Sequence, residues 1–178
     1  MISAELLVRL TNLTAERRPG RGPAFRPDPL ASCEGTAAAL DVPTVTEGEL
    51  ACLRELHRVV VALVDRVLAG QPAGRAAGQL SDLASPSRAR VRLEHDRANG
   101  LRTRLLWEDA TLASRLARQV VTELSEIDPA RLRRCQRTPC RLVFYDTTRS
   151  NTKRWHAESP CGQRARQQRF RASHAEDR

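Results

Sequence analysis

Aromatic residues make up only 3% of this 178-residue chain. A packed core must therefore come mostly from Leu, Val and Ala, a set that suits helices. Nowhere do about 18 uncharged apolar residues run together, which excludes a transmembrane helix and with it a membrane partner. The opening MISAELLVRL lacks a basic stretch followed by a long apolar run, so no secretory signal is expected and a cytoplasmic location is. In that compartment stray thiols stay reduced, and clustered cysteines point to metal rather than to disulfides. Lysine is almost missing: Lys153 is the sole one among 30 basic residues, as a GC-rich coding sequence would leave. Also lacking are a Gly-rich phosphate loop, a nucleophile-elbow pattern and a paired His–carboxylate spacing, so no enzyme is expected.

What the chain does have is charge, and it is unevenly placed. The formal net charge is +9. Residues 1–128 carry 17 Arg and 17 Asp and Glu, which cancel. Residues 129–178 carry 13 Lys and Arg against Asp146, Glu158, Glu176 and Asp177, so the whole excess lies in the last 50 residues. Four of the six aromatics (Phe144, Tyr145, Trp155, Phe170) and three of the five cysteines lie there too. Codon bias explains Arg in place of Lys. It does not explain why acids balance arginines in one segment and not in the other. A chain of this length holds one domain, or a modest domain with a small module attached. The division expected here is 1–127 and 128–178.

Along the first part, residues 3–13 read as a short helix with Ser3 as N-cap, and 14–32, rich in Pro, Gly and Arg, as a long loop. Thr46 and Glu49 make a capping box, with Val45 and Leu50 placed as a hydrophobic staple. Leu50, Leu53, Leu56, Val60, Leu63 and Val67 then recur at helical spacing until Gly70. A weaker helix is expected over 73–84. From 88 to 107 the period changes to an alternation of basic and apolar residues around a turn at Asp96–Gly100. This predicts a β-hairpin whose arginines form the wet face of a half-buried sheet. A helix over 109–126 follows, with Glu108 and Asp109 at its positive end and Leu112, Leu116, Val120 and Leu124 inward. Asp128-Pro129 opens a further short helix, DPARLRR, that leads to Cys135.

The densest chemistry is Cys135, Cys140, His156 and Cys161, in the pattern Cys-x4-Cys-x15-His-x4-Cys. A Pro directly precedes the second ligand of each pair (Pro139, Pro160). Zinc takes four soft or borderline donors in a tetrahedron, and such spacing lets a single turn offer two of them. The intervening residues predict a hairpin, RLVFYD out and TKRW back. Ser159 as N-cap and Pro160 at the first helical position would put Cys161 in the first turn of a helix, where the dipole favours a thiolate. On that helix Cys161, Ala165, Gln168 and Ala172 share the metal side. Arg164 and Arg171 flank it on one edge, Arg166 and Arg169 on the other, and Phe170 points away. The segment 135–161 is too polar to fold on apolar burial alone, so one structural zinc is expected rather than three cysteines acting as small hydrophobes. His57 and His95 read as partly exposed helix and strand residues and His174 as part of a tail. Cys33 and Cys52 read as free thiols in a loop and a helix.

Residues 135–172 resemble the CGNR-type zinc finger. Phe144, Asp146, Arg149, Lys153, Arg154 and Trp155 fall in step with that family, and CGQR at 161–164 stands where it carries its name. Two positions depart: His156 occupies a slot where the family has cysteine, and Gln163 replaces its asparagine. Imidazole is an acceptable zinc donor, so a closed site remains expected. LLVRLTN, LRELHRVVVALVDRVLAG and LLWEDATLASRLARQVV resemble, more diffusely, the ABATE domain that commonly precedes this finger. The resemblance implies a bacterial, stress-related transcription regulator whose finger binds DNA.

The fold class expected is α+β, mainly helical with one small hairpin, joined to a treble-clef-like zinc finger of hairpin and basic helix. The leading function is a DNA-binding regulator, with Arg149, Lys153, Arg154, Arg164, Arg166, Arg169 and Arg171 as contacts, most of them to phosphates. The alternative is a zinc-organised RNA-binding or protein–protein adaptor, which base-stacking aromatics would serve. A second copy is a candidate partner, because one small finger seldom supplies enough specific affinity. A buried apolar pocket between the 46–69 and 109–126 helices would mark a small-molecule ligand.

Overall fold

The computed structural model describes residues 4–14, 28–96, 100–137 and 140–176, without the side chains of Asp96, Arg169 and 172–176. In order come α1 (Glu5–Thr11), a 3-10 turn (Pro29–Ala31), α2 (Cys33–Leu40), α3 (Glu47–Leu68), α4 (Gly74–Ala84), β1 (Arg88–Asp96), β2 (Gly100–Glu108) and α5 (Leu112–Glu126). A second 3-10 turn (Pro129–Arg131), β3 (Leu132–Arg134), β4 (Val143–Tyr145), a helical turn (Glu158–Gly162) and α6 (Gln163–Glu176) complete the chain. The architecture is α+β: helices plus two separate two-stranded antiparallel hairpins, β1–β2 and β3–β4.

α3 forms where the periodicity places it. Thr46 and Glu49 close the expected capping box, and Leu50, Leu53, Leu56, Val60 and Leu63 are all buried. Val45 is buried too, as a staple residue should be. α5 begins later than 109, because Thr111 is its N-cap and forms a capping box with Ser114. The two acids assigned to its positive end do other work. Asp109 grips Arg118 through two hydrogen bonds of 3.0 Å, and Glu108 pairs with Arg90 on the hairpin at 3.0 Å. α2 has no counterpart in the sequence reading, which put Cys33 in a loop. Cys33 is the first residue of that helix, capped by Ser32, whose hydroxyl accepts from the Gly35 N–H. Its run TAAAL offers little contrast between apolar and polar positions, so periodicity is silent there. The Ser3 cap, the 15–27 part of the long loop and the 97–99 part of the hairpin turn lie outside the described residues.

α1 is capped from a distance. Its N-cap position is Ala4, whose methyl group offers no hydrogen-bond acceptor. The N–H groups of Leu6 and Leu7 instead donate to the two carboxylate oxygens of Glu123 on α5, at 3.0 and 2.8 Å. The contact satisfies two orphan donors and sets a negative charge at the positive end of the helix. Glu123→Ala is therefore expected to cost about 1–2 kcal/mol and Glu123→Gln roughly half of that, read as a shift in urea midpoint. An unchanged midpoint for Glu123→Ala would remove this role.

One apolar cluster unites α1, α3, α4 and α5 and takes in Leu132 of β3 and Val143 of β4. The second hairpin is thus packed on the helical body. Asn12, at the end of α1, completes the docking: its amide donates to the Val143 carbonyl at 2.7 Å, and its oxygen accepts from the Val143 N–H at 2.8 Å. A side chain here pairs with a strand as a neighbouring strand would. The first hairpin differs from expectation. Its strands pair in unbroken register from Arg88↔Glu108 to Asp96↔Gly100, but Val91, Leu93, Leu101, Leu105 and Trp107 are all exposed. The sheet is not half-buried, since no layer among the described residues covers its apolar face. Among the described residues no helix is long and apolar enough to cross a membrane.

Candidate metal centre

β3 runs directly into Cys135, and β4 begins three residues after Cys140. The two strands pair as Leu132↔Tyr145, Arg133↔Phe144 and Arg134↔Val143, and the Cys135 N–H extends the ladder to the Leu142 carbonyl at 2.9 Å. The first ligand pair therefore sits at the closed end of a hairpin whose other end is held by the body's core. This corrects two expectations. The segment DPARLRR is a short helix only over Pro129–Arg131 and then a strand, and β4 pairs with that strand rather than with 152–155. Arg133 and Arg134 are needed in extended backbone to bring Cys135 into place, and alternation across three residues is too short to read.

The second ligand pair is brought in by polar contacts. The Gln136 N–H donates to the Arg154 carbonyl at 3.0 Å, and Arg154 Nε returns a 2.7 Å bond to Gln136 Oε1. Behind them lies Asp146, wholly buried. Its Oδ1 accepts from the Thr148 N–H (2.9 Å) and hydroxyl (2.6 Å), and its Oδ2 from the Lys153 N–H (2.8 Å). Arg133 stands 3.6 Å away as a counter-charge. Burial is the largest influence on this carboxyl and pushes its pKa up. The bonds from Thr148 and Lys153 and the Arg133 charge outweigh it, so the group is held below the usual range.

Cys135, Cys140, His156 and Cys161 converge, with their ligand atoms all within 4.8 Å of one another. Cys140 Sγ and His156 Nδ1 are 3.5 Å apart. Tetrahedral zinc with bonds of about 2.3 Å to sulfur and 2.0–2.1 Å to nitrogen separates its ligands by roughly 3.5–3.8 Å, so closure to that geometry needs shifts of about an ångström. Cys135 and Cys161 are buried, and Cys140 and His156 half-buried. All three cysteines are free thiols. The four residues are positioned to hold one zinc ion, with His156 as one of the ligands. Without a cation, burial above all, and then the neighbouring sulfurs, push the Cys140 thiol up to about 12. A divalent ion reverses that preference, so binding it expels protons. Three thiolates and one imidazole leave the loaded centre one negative charge in excess, and Arg137 meets it with a guanidinium nitrogen 3.7 Å from Cys161 Sγ.

The approach to Cys161 also departs from expectation. Ser159 has the extended backbone of an N-cap (φ −107°, ψ 127°), but its hydroxyl donates to Gln163 Oε1 at 3.3 Å instead of accepting from a backbone N–H. Cys161 lies in the helical turn that follows the kink at Ser159 and runs directly into α6 at Gln163. α6 continues to Glu176 and takes in the backbone of His174, which the sequence placed in a tail. Ala165 is half-buried, while Gln168, assigned to the metal side, is exposed.

The basic residues divide by role. Arg131 donates to the carbonyls of Asp146 and Thr148, Arg133 to Asn151, and Arg134 to Asp65 and to the Arg141 carbonyl. With Arg137, these hold the segment together. Of the sequence-derived contacts, Arg149, Arg154 and Arg171 are exposed and Arg164 is half-buried. Arg166 is exposed but paired with Glu158. Lys153 is half-buried, with its ammonium over the Phe144 ring at 5.6 Å. The Arg169 side chain lies outside the described residues. Sequence reasoning missed Arg141, which is exposed beside β4, and Asn12, Gln136, Arg133 and Arg137, whose work is internal.

No curated protein matches the chain. The segment organised around the four ligands matches a known family: residues 131–174 fit the family model of the CGNR zinc finger.

Proposed function

We propose that the zinc-organised segment binds duplex DNA and that the protein is a transcription regulator rather than an enzyme, with the helical part, which resembles the ABATE domain, as its sensing or assembling portion. The observation that carries this reading is how the positive charge is used. The excess of +9 lies wholly in residues 129–178. Once Arg131, Arg133, Arg134, Arg137 and Arg154 are set aside for internal contacts, Arg141, Arg149 and Arg171 remain exposed, with Arg164 half-buried. α6, read QRARQQRFRASHAE, has no apolar stripe to bury against a protein core. Exposed guanidinium groups on a helix and adjoining loops suit phosphate oxygens, which position a protein on a duplex.

The test is fluorescence anisotropy of a labelled mixed-sequence duplex against the zinc-loaded protein over a salt series, with a chelator control. If about five or six phosphates are met, log K should fall against log salt with a slope of roughly −5. Arg149→Gln combined with Arg171→Gln should flatten that slope by about 2. A protein that fails to bind duplex at low salt with zinc in place is not a DNA-binding regulator. Preference for single-stranded RNA in competition would move the reading to an RNA adaptor.

A further inference from the structure

The β1–β2 ribbon sorts its side chains by face. Opposite residues in an antiparallel pair project to the same side. Arg88, Arg90, Arg92, Glu94, Arg102, Arg104 and Glu108 all fall on one face, where Glu108 pairs with Arg90 and Glu94 with Arg104. The other carries Ala89, Val91, Leu93, His95, Leu101, Thr103, Leu105 and Trp107. That second face would be the core side of an ordinary sheet, yet Val91 is 73% exposed, Leu93 64%, Leu101 68%, Leu105 50% and Trp107 45%. An isolated two-stranded ribbon is marginal in water unless something covers its apolar side.

Among the described residues nothing offers the cover. The described helices give most of their large apolar residues to the central cluster, and Val121 and Phe170, which they leave outside it, are themselves exposed. Residues 15–27 contain four Arg and a single large apolar residue, Phe25, and so cannot supply a matching face. A second copy can. We propose that this face is a homodimer interface, in which Val91, Leu93, Leu101, Leu105 and Trp107 of two chains pack face to face about a twofold axis as a four-stranded sandwich.

Three features favour a second copy over another partner. The face bears no formal charge, and only His95 on it can titrate near neutrality. Apart from Arg118, which stands against Trp107 already paired with Asp109, two chains of net charge +9 can therefore meet here without burying a charge of either sign. Nucleic acid or an acidic protein would find its electrostatic match on the opposite face. The area fits as well: at these exposures the five side chains offer on the order of 500 Å², at the upper end of apolar patches on soluble monomers. Two such faces bury on the order of 1,000 Å², where a specific interface begins. Finally, the strands are equal in length, nine residues each, and pair without a bulge, so a twofold operation sets one apolar face against the other. One end is already firm, since the Arg118 guanidinium lies 4.4 Å from the centre of the Trp107 ring.

The proposal stands apart from the nucleic-acid reading, and its test contains no DNA. Sedimentation velocity of the zinc-loaded full chain, from nanomolar to high micromolar concentration, should show a monomer–dimer equilibrium. Leu93→Asp and Leu105→Asp are exposed in the single chain and should fold with unchanged circular dichroism and zinc content, while weakening association about a hundredfold or more. Thr103→Asp, on the same face, should act likewise, and Arg92→Gln, on the other face, should leave association intact. A wild-type protein that stays monomeric throughout overturns the proposal. So does a dimer indifferent to all three aspartate substitutions, or a face that binds lipid vesicles while the chains stay single.

Discussion

A strong zinc chelator is expected to unfold residues from about Cys135 to the end of α6 while leaving the helical body folded. Among the described residues the buried side chains of this segment are few: Cys135, Leu142, Val143, Phe144, Asp146 and Cys161. Two of these are metal ligands, and Val143 belongs to the core of the body. What remains is too little apolar burial to offset the ordering of some forty residues, at about 1–2 kcal/mol each for the backbone. Structural zinc contributes about 10–16 kcal/mol in sites of this kind, enough to decide the outcome. The body is a separate matter, because α1, α3, α4 and α5 share a core that needs no metal. Limited trypsin digestion reads the difference, since exposed arginines line the zinc segment. The loaded protein should resist cleavage there, and the chelated one should lose the segment and leave a stable fragment ending near Arg134. Cys161→Ser should behave as the chelated protein does, whereas His156→Cys, which restores a four-thiolate set, should stay folded. Because the thiols must lose protons to bind, affinity for zinc should fall as the pH falls. If chelation leaves the protease pattern and the amide protection of α6 unchanged, the metal does not hold this segment together.

The parts legible in the sequence are those where one local rule speaks alone. α3 has a capping box, a staple and about five turns of apolar periodicity from Leu50 to Val67, and it forms almost residue for residue. The ligands Cys135, Cys140, His156 and Cys161 could be read because zinc chemistry requires spaced soft donors whatever the surrounding fold. What stayed hidden is long-range. Nothing near Ala4 announces that Glu123 will cap it. Asn12 looks like an ordinary helix end until Val143 is placed beside it. Arg131, Arg133, Arg134 and Arg137 could not be told from Arg149 or Arg171 by composition, since pairing with a carbonyl or a buried carboxylate depends on the tertiary fold. The same limit explains the ribbon. Alternation correctly gave β1 and β2, but whether a face is covered depends on what lies opposite, and here nothing in the described chain does.

Asp146→Ala should be the most damaging single substitution outside the ligands. Both carboxylate oxygens are in use, Oδ1 on Thr148 and Oδ2 on the Lys153 N–H. Arg133 Nε, buried and without a hydrogen bond of its own, depends on the Asp146 charge at 3.6 Å. Truncation strands two backbone N–H groups and a guanidinium at once, a loss of about 3–5 kcal/mol by the measure of broken buried pairs. The damage should reach the metal, because Lys153 and Arg154 lead straight to His156 and Arg154 ties that strand of chain to Gln136. Supports of this kind change metal affinity by about 10- to 100-fold, and competition against a chromophoric chelator would measure it. Asp146→Asn keeps one acceptor but turns a donor toward donors, so it should fall between alanine and the wild type. The pH dependence separates this role from that of the ligands. The folded carboxyl titrates below its usual range, so its contribution is complete above the unfolded value of about 3.9 and is lost only as the pH falls through the lower folded one. Protons reach the thiolates well before that. The loss of affinity in Asp146→Asn should accordingly be the same in slightly acid and slightly alkaline buffer, while the affinity of every variant falls together toward acid. Wild-type affinity in Asp146→Ala would mean that zinc alone orders the loop from Asp146 to Lys153.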